Sequence, residues 1–178
     1  MILACSPYRT DRNLGKAYNE ALALMNEGDE AMILMDYDVL ILLPDQLFHI
    51  HEYVRLYPEG DMFVCWGSRT FPGNAQLYKD KVSTDPNINN HISIARDCYK
   101  HLYNVTPVKQ DISGFLMVIR RRLFREIKFA EDLKCLGVDT LFSRKALDAG
   151  KIIYRMDGIY VWHTYRLEKG INDKKHLV

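Results

Sequence analysis

Two aspartates separated by one tyrosine directly follow an apolar run. Asp36 and Asp38 come after Ala31–Met35, five apolar residues that predict a buried strand. Alternate side chains of an extended chain point to the same side, so the two carboxylates are expected together, with Tyr37 opposite. Paired carboxylates repel each other unless a cation lies between them, and Mg²⁺ or Mn²⁺ suits such oxygen ligands beside a substrate's phosphates. The pattern therefore predicts a metal site, and a turn with two solvated acids is the alternative.

A histidine and an arginine follow the last apolar run. His163 comes after Val161-Trp162, and imidazole is an acceptable Mn²⁺ ligand beside carboxylates. The alternative is a histidine whose hydrogen bonds are satisfied in the core or at the surface. Arg166 stands three residues further on, where it could contact an anionic ligand and, with the lysines of the tail, close over a diphosphate. A solvated charged tail is the alternative for these residues.

A third aspartate stands at the start of a helix predicted over 138–149. Asp139 fits a structural role, as a helix cap or as an acid favoured by the helix dipole, and a functional role, as a general base that takes a proton from an acceptor hydroxyl. The helix N-terminus is expected to lower the pKa of this carboxyl and keep it ionised. Gly114, at the entry to another apolar run, indicates a bulge, the close approach of a ligand, or a simple turn.

Three residues after the first predicted strand are candidates for nucleotide binding. Pro7, Tyr8 and Arg9 follow an apolar run over 2–5, and ligands of doubly wound sheets lie at the carboxyl ends of the strands. Tyr8 could stack on a nucleobase, and Arg9 could bind a phosphate. An ordinary surface turn fits these residues equally well.

The elements that must position these residues alternate between strand and helix. Periodic apolar residues predict helices over 13–25, 44–57, 92–103 and 138–149, and short apolar runs predict strands over 2–5, 31–35, 62–66, 112–119, 152–154 and 159–162. Residues 67–90 form the longest irregular stretch and are a candidate lid or acceptor loop. Residues 120–122 indicate a solvated basic turn, and contact with an anionic acceptor is the alternative. The alternation predicts an α/β fold, with a mixed, mostly parallel sheet flanked by helices and a few antiparallel pairs late in the chain.

Length and composition limit the classes of protein further. The 178 residues are 48% hydrophobic, which argues against disorder, and they fit one domain over 1–178. The 24 Lys and Arg balance 23 Asp and Glu, so no global field favours nucleic acid or an anionic membrane. The four cysteines form no C-x-x-C pair and are expected to be reduced. The opening residues are too short for a signal peptide, so a cytoplasmic protein is expected.

The chain resembles the GT-A glycosyltransferases of family 2 type. The resemblance extends from about Asn13 to Arg166, and it rests on five motifs in the family's order: Asn13-Leu14-Gly15-Lys16-Ala17-Tyr18-Asn19; Asp36-Tyr37-Asp38; Ser113-Gly114-Phe115 with a trailing Arg120; Phe129-Ala130-Glu131-Asp132 followed by Val138-Asp139, Arg144 and Gly150; and Trp162-His163.

The resemblance implies a single-domain GT-A fold and a metal-dependent glycosyltransferase. Such an enzyme moves a sugar from a nucleotide-diphosphate sugar, with a UDP-sugar as the first expectation, to a hydroxyl acceptor. Asp36 would lie near the ribose or the metal, Asp38 and His163 would hold Mn²⁺ (or Mg²⁺), and Asp139 would deprotonate the acceptor in an inverting reaction. The complete set of residues predicted to bind the donor is Pro7, Tyr8, Arg9, Asn13, Gly15, Asn19, Asp36 and Arg166.

Two features of the sequence depart from that family. Val138 stands where the family usually has Glu. The helix and strand that family members carry before the Asn13 helix, with an acidic residue that contacts the base, are missing, so nucleobase specificity does not carry over. Two alternative functions stay open, a nucleotidyltransferase acting on sugar phosphates and a non-catalytic nucleotide- or carbohydrate-binding module. The acceptor and the oligomeric state also stay open.

Overall fold

The computed structural model describes residues 1–68, 70, 74–78 and 85–164. Its strands are β1 (Ile2–Cys5), β2 (Ala31–Met35), β3 (Val39–Leu40), β4 (Met62–Gly67), β5 (Val105–Pro107), β6 (Leu116–Arg120) and β7 (Ile153–His163). Its helices are α1 (Leu14–Ala23), α2 (Gln46–Leu56), α3 (Ile88–Cys98), α4 (Arg121–Glu126) and α5 (Val138–Asp148), and a 3-10 turn (Tyr99–His101) follows α3. Within these ranges no helix has the length and apolarity needed to cross a bilayer.

The seven strands form one mixed sheet. The strand order is β1-β2-β6-β4-β7-β3, and β5 also pairs with β7. The pairings give β1, β2, β4 and β7 one direction and β3, β5 and β6 the opposite one. The predicted α/β class and the mixed sheet flanked by helices are therefore confirmed, with antiparallel β6 between β2 and β4. The carboxyl ends of β1, β2, β4 and β7 meet at one edge, where ligands of α/β sheets bind.

Helices cover both faces of this sheet because the central strands are buried on both sides. In β2 the side chains alternate, so Met32 and Leu34 pack with α1 and α5 while Ala31 and Ile33 pack with α2. A smaller third cluster joins α3 to the carboxyl-terminal half of β7 through Ala95, Cys98 and Tyr160. The long apolar runs of the sequence are thus explained by two-sided burial.

Three predicted boundaries are wrong by several residues. The helix predicted to end at 103 ends at Cys98, where the 3-10 turn follows. Helix α3 begins at Ile88 rather than at 92 because the side chain of Asn87 caps it, accepting a hydrogen bond from the Asn89 N–H at 3.0 Å. Strand β6 begins at Leu116 rather than at 112. The preceding backbone bonds to side chains instead, with the N–H of Ile112 donating to Ser143 Oγ at 3.3 Å.

The last two predicted strands are one continuous strand, β7, that contains a bulge. Its pairing with β4 shifts between Cys65, which faces Met156, and Trp66, which faces Tyr160. Gly158 lies in the bulge, where a Cβ atom would be 2.6 Å from the Cα of Leu102. Gly158 therefore marks a close approach of two backbones.

The predicted basic turn is buried at its first residue. Arg120 ends β6 and is 4% exposed, and its guanidinium donates to the carbonyls of Gly60, Val54 and Tyr57 and also pairs with Glu30. Arg120 therefore fixes the end of α2 to the sheet, and the expectation of a solvated turn is wrong for this residue.

Candidate functional site

The three residues predicted to bind a metal lie together in the structure. Asp36, Asp38 and His163 each offer one ligand atom, and these atoms lie within 4.8 Å of one another. The His163 Nε2 atom is 3.5 Å from Asp38 Oδ1. Residues separated by more than a hundred positions in the sequence thus converge where β2 and β7 end.

The backbone between β2 and β3 places the two aspartates. The Asp36 N–H donates to the carbonyl of Phe115 at 2.9 Å, and the Val39 N–H closes a turn on the carbonyl of Asp36 at 3.2 Å. The Asp38 carbonyl accepts from the Thr164 N–H at 2.8 Å, just after His163. Tyr37 is 92% exposed and points away, as expected. The carboxylates meet because of this turn and not because of strand alternation, which is a correction to the prediction.

The His163 ring is held by an aromatic neighbour that the sequence did not single out as a support. Phe115 stacks on His163 with ring centres 5.2 Å apart and planes 22° apart. Gly67 makes room for Phe115, because a Cβ atom at that position would be 2.7 Å from the Phe115 ring. The Ser68 hydroxyl donates to the His163 carbonyl at 3.1 Å. His163 is therefore fixed on both its backbone and its ring.

The carboxyl group of Asp36 has a raised pKa. Burial, joined by the charges of Asp38 and Asp139, raises the pKa of Asp36 to about 6, although His163 and a hydrogen bond from Tyr18 act in the opposite direction. The Tyr18 hydroxyl donates to Asp36 Oδ1 at 3.2 Å. Ionised carboxylates this close repel one another, and a cation between them would relieve that repulsion.

Asp139 lies in the first turn of α5, where its acidic group suits the helix dipole, as predicted. The predicted helix-cap role is wrong, because the cap position is taken by Gly137. The Asp139 carboxylate accepts two other backbone hydrogen bonds. Oδ2 accepts from the Gly114 N–H at 2.5 Å, and Oδ1 accepts from the Thr140 N–H at 2.9 Å. A Cβ atom on Gly114 would be 2.9 Å from the Cβ of Asp139, so the glycine permits the close approach of Asp139 itself. The predicted lowering of the pKa is wrong, because burial raises the pKa of Asp139 despite these N–H donors.

Asp139 also belongs to the acidic region around Asp36. The charges of both carboxylates help to raise the pKa of the Tyr18 hydroxyl, for which burial is the larger cause. The pKa of the Cys135 thiol is raised in the same way, by burial first and then by the two carboxylates. No pattern in the sequence indicates Cys135, because its proximity depends on the fold of the chain before α5.

The residues of the first family-like motif hold a loop in place. Asn13 caps α1 by accepting from the Lys16 N–H at 2.9 Å, and its Nδ2 donates to the carbonyl of Glu131 at 2.8 Å. The Asn19 amide donates to the Phe129 carbonyl at 3.0 Å and accepts from the Phe129 N–H at 3.0 Å. A Cβ atom on Gly15 would be 1.9 Å from the carbonyl oxygen of Ala130. The structure thus gives these residues a scaffolding role, and their role in donor binding stays a prediction.

The segment after β1 reaches the same edge of the sheet. The Ser6 hydroxyl donates to the carbonyl of Met35 at 2.6 Å, which ties the end of β1 to the residue before Asp36. Pro7 and Tyr8 follow, and Tyr8 is 82% exposed.

The Arg9 guanidinium is bound by two carboxylates of its own surroundings. It donates to Asp11 at 2.7 Å and to Glu20 at 2.6 Å, and the bond lowers the pKa of Asp11 to about 2. This pairing occupies the group that was predicted to bind a phosphate. The predicted donor ligand Arg166 lies outside the described residues.

A separate cavity of about 400 Å³ lies between the end of α3, β4 and the bulge of β7. It contains none of the predicted site residues. Two ion pairs contribute to its walls, Lys100 with Asp97 at 2.7 Å and Arg155 with Asp157 at 2.8 Å. The charges within each pair neutralise each other. The cavity therefore does not concentrate negative charge as the cluster of Asp36, Asp38 and His163 does.

The donor set of the cluster fits a divalent cation. Two carboxylates and one imidazole are ligands that Mn²⁺ accepts, and Mg²⁺ is compatible with the carboxylates. Burial, followed by the charges of Asp38 and Asp139, raises the pKa of Asp36, and a positive ligand would offset these costs of its ionised form. The chain matches no protein-family model, and no curated protein matches its sequence. The geometry of the site therefore carries the functional conclusion.

Proposed function

We propose that the protein is a metal-dependent glycosyltransferase of the GT-A type, which moves a sugar from a nucleotide-diphosphate sugar to a hydroxyl acceptor. The observation that carries the proposal is the convergence of Asp36, Asp38 and His163. This cluster lies at the sheet edge where β1, β2 and β7 end, the usual position for a nucleotide in an α/β sheet.

In this proposal Asp36, Asp38 and His163 hold Mn²⁺ or Mg²⁺. A bound divalent cation supplies Lewis-acid stabilisation of the negative charge on a leaving diphosphate. The chain contributes a fixed imidazole, stacked on Phe115, and two carboxylates held by the turn between β2 and β3. Orientation by such surrounding contacts is what keeps ligands ready for a metal.

Asp139 is proposed to accept the proton of the acceptor hydroxyl in an inverting transfer. The N–H groups of Gly114 and Thr140 orient its carboxylate and leave further lone pairs on both oxygens. Burial raises its pKa, which makes it a stronger base while it is ionised. Its charge acts on Asp36, so the proposed base and the proposed metal ligands belong to one electrostatic site.

The donor is proposed to bind along the short segment between β1 and α1. Only residues 6–13 connect these elements, and Tyr8 is the one aromatic residue among them. Its exposure leaves its ring available to stack on a base. A UDP-sugar is the proposed donor, with the nucleobase contact made by stacking rather than by an acidic residue.

The direct test is release of UDP from a panel of UDP-sugars in the presence of Mn²⁺. UDP formation that is lost in Asp38→Asn and kept in Asp97→Asn, an exposed aspartate on α3, is the expected result. Release of pyrophosphate from a nucleoside triphosphate and a sugar phosphate would instead indicate a nucleotidyltransferase. No product from either reaction would contradict both enzyme assignments.

One observation favours a non-catalytic nucleotide-binding module as the second candidate. Both oxygens of Asp139 accept backbone hydrogen bonds, from Gly114 and Thr140, which is the arrangement of a structural link between α5 and the segment before β6 as well as of an oriented base. A module of this kind would bind Mn²⁺ and UDP with unchanged affinity in Asp139→Asn and would hydrolyse no donor. A glycosyltransferase would lose turnover in the same variant while it still binds UDP.

A further inference from the structure

A fully buried glutamine bonds to the backbone beside the candidate base. Gln76 is 0% exposed, and its side-chain amide makes two hydrogen bonds with the backbone of Ser113. The Ser113 N–H donates to Gln76 Oε1 at 2.7 Å, and Gln76 Nε2 donates to the Ser113 carbonyl at 3.1 Å. The amide thus replaces the neighbouring strand that Ser113 lacks, because β6 begins only at Leu116.

The two residues after Ser113 both contact the candidate site. Gly114 donates its N–H to Asp139 at 2.5 Å. Phe115 accepts the Asp36 N–H through its carbonyl and stacks its ring on His163. One three-residue segment, 113–115, therefore supports the proposed base, one carboxylate ligand and the imidazole ligand.

Gln76 is itself anchored to the sheet and is part of a polar network. Its carbonyl accepts the Gly67 N–H at 2.8 Å, and its own N–H donates to Asn74 Oδ1 at 2.8 Å. The hydroxyls of Ser113 and Thr70 are 2.6 Å apart, and the Asn74 amide donates to the same Ser113 hydroxyl at 3.2 Å. Thr70, Asn74 and Gln76 of the predicted lid or acceptor loop are thus bonded to Ser113, and Gln76 is also bonded to the end of β4.

We propose that Gln76 is a positioning residue that fixes segment 113–115 and thereby the contacts of Asp139, Asp36 and His163. The effect on turnover rests on the proposed function, whereas the effect on the segment does not. When the amide is removed, the Ser113 N–H and carbonyl lose their partners inside the protein. The segment then loosens, and the N–H of Gly114 no longer stays on the Asp139 carboxylate.

Gln46 provides a matched control. It is also 0% exposed, and its amide also bonds to backbone groups, accepting from the N–H groups of Leu42 and Leu43 and donating to the carbonyl of Tyr160. None of these contacts involves segment 113–115. Gln46→Ala therefore measures the general cost of losing a buried amide without the positioning effect.

The first measurement is the amide proton of Gly114 in ¹⁵N-labelled, metal-free protein. A short hydrogen bond to a carboxylate moves this proton downfield, so Gln76→Ala should move it upfield and speed its exchange with solvent. Gln46→Ala should leave it in place. An unmoved Gly114 proton in Gln76→Ala, or an equal movement in Gln46→Ala, would overturn the proposal. If Gln76→Ala does not fold, Gln76→Glu gives the same readout, because a carboxylate cannot donate to the Ser113 carbonyl.

The second measurement separates positioning from the proposed reaction. With a UDP-sugar and Mn²⁺, Gln76→Ala should lower kcat roughly 10- to 100-fold with little change in KM, because small displacements of reacting groups are costly. Gln76→Glu should be intermediate, and Gln46→Ala should retain kcat. Equal kcat values in Gln76→Ala and Gln46→Ala would overturn the catalytic part of the proposal. A wild-type protein without turnover would count against the proposed function alone, and the Gly114 result would decide the positioning.

Discussion

At the scale of single residues, the site is held together by contacts that place like charges close to one another. Asp36 and Asp38 lie with His163 in one cluster, and the charge of Asp139 acts on Asp36. Burial and, to a smaller extent, these neighbouring carboxylates therefore disfavour the ionised form of Asp36 in the metal-free folded protein. Strain of this kind is typical of sites that bind a cation or perform chemistry, and it lowers the stability of the protein.

The metal-free protein should become more stable when Asp36 is replaced by Asn. The pKa of Asp36 is raised from 3.8 to about 6 on folding, so the folded state holds the proton more tightly. The extra stability that the folded state gains by binding this proton is fully present below about pH 4 and is lost as the pH rises through 6. Asn resembles the protonated acid, and it should raise the free energy of unfolding at pH 7.5 by about 2–3 kcal/mol.

Urea denaturation in EDTA at several pH values measures this effect. The gain in unfolding free energy from Asp36→Asn should shrink towards zero near pH 4. Asp97→Asn should show no such gain at pH 7.5 or at pH 4. A less stable Asp36→Asn protein at pH 7.5 would mean that the folded protein favours the ionised carboxylate, contrary to the raised pKa of Asp36.

A methyl group at position 114 should disturb Asp139 directly. The added Cβ of Gly114→Ala would be 2.9 Å from the Asp139 Cβ and 3.1 Å from its Oδ2, so α5 or the segment before β6 must shift. Overpacking of this kind costs about 1–3 kcal/mol of unfolding free energy. Gly28→Ala is the control, since no atom lies within 4 Å of its added Cβ. Thermal denaturation should separate the two variants, and equal melting temperatures would contradict the close packing of Gly114 on Asp139.

At the scale of the elements, the sequence predicted regular segments well and irregular ones poorly. The apolar period of α1 was predicted, because it depends on residues within one or two turns. The single strand β7 was predicted as two, because the bulge at Gly158 depends on Tyr53 and Leu102, which are distant in the chain. The predicted start of β6 at Ile112 is too early. Ile112 is apolar, as strand residues often are, but its N–H donates to Ser143 Oγ instead of to a neighbouring strand.

The β7 bulge should depend on one buried hydroxyl. Tyr53 Oη accepts the N–H of Gly158 at 3.0 Å and the N–H of Tyr103 at 2.8 Å. Tyr53→Phe leaves both donors without this partner and should cost about 1–3 kcal/mol for each buried group that stays unpaired. Tyr154→Phe, which loses a bond to the exposed Glu59, should cost much less. Chemical denaturation of the two variants provides the comparison, and an equal cost would show that the hydroxyl does not support the bulge.

At the scale of the whole molecule, the site exists because strand ends from distant parts of the chain meet. The types of residue needed for it were predictable from the sequence, namely two carboxylates after β2, a histidine at the end of β7 and an aspartate at the start of α5. The supports were not predictable, because Phe115, Gly67 and Gln76 act through long-range contacts that no local pattern encodes. The scaffolding role of Asn13, Gly15 and Asn19 was not predictable for the same reason. Their contacts with the loop at 129–131 appear only in the folded chain.

The topology also defines what the molecule offers a donor. Among the described residues, the short segment 6–13 connects β1 to α1 at the edge beside Asp36. The net charge of +1 supplies little general attraction for a diphosphate. The proposed function therefore depends on the cation for much of the positive charge that a diphosphate needs.

Calorimetric titration of the metal-free protein with Mn²⁺, first alone and then with UDP present, tests this dependence most directly. The wild-type protein should bind one Mn²⁺, and UDP should bind only when Mn²⁺ is present. Asp38→Asn should weaken Mn²⁺ binding by about tenfold or more, since loss of a ligand or its support typically costs roughly 10- to 100-fold. Asp97→Asn should bind as the wild type does. Mn²⁺ binding that is equal in wild type and Asp38→Asn, or UDP binding without any metal, would contradict the assignment of Asp36, Asp38 and His163 as the metal site.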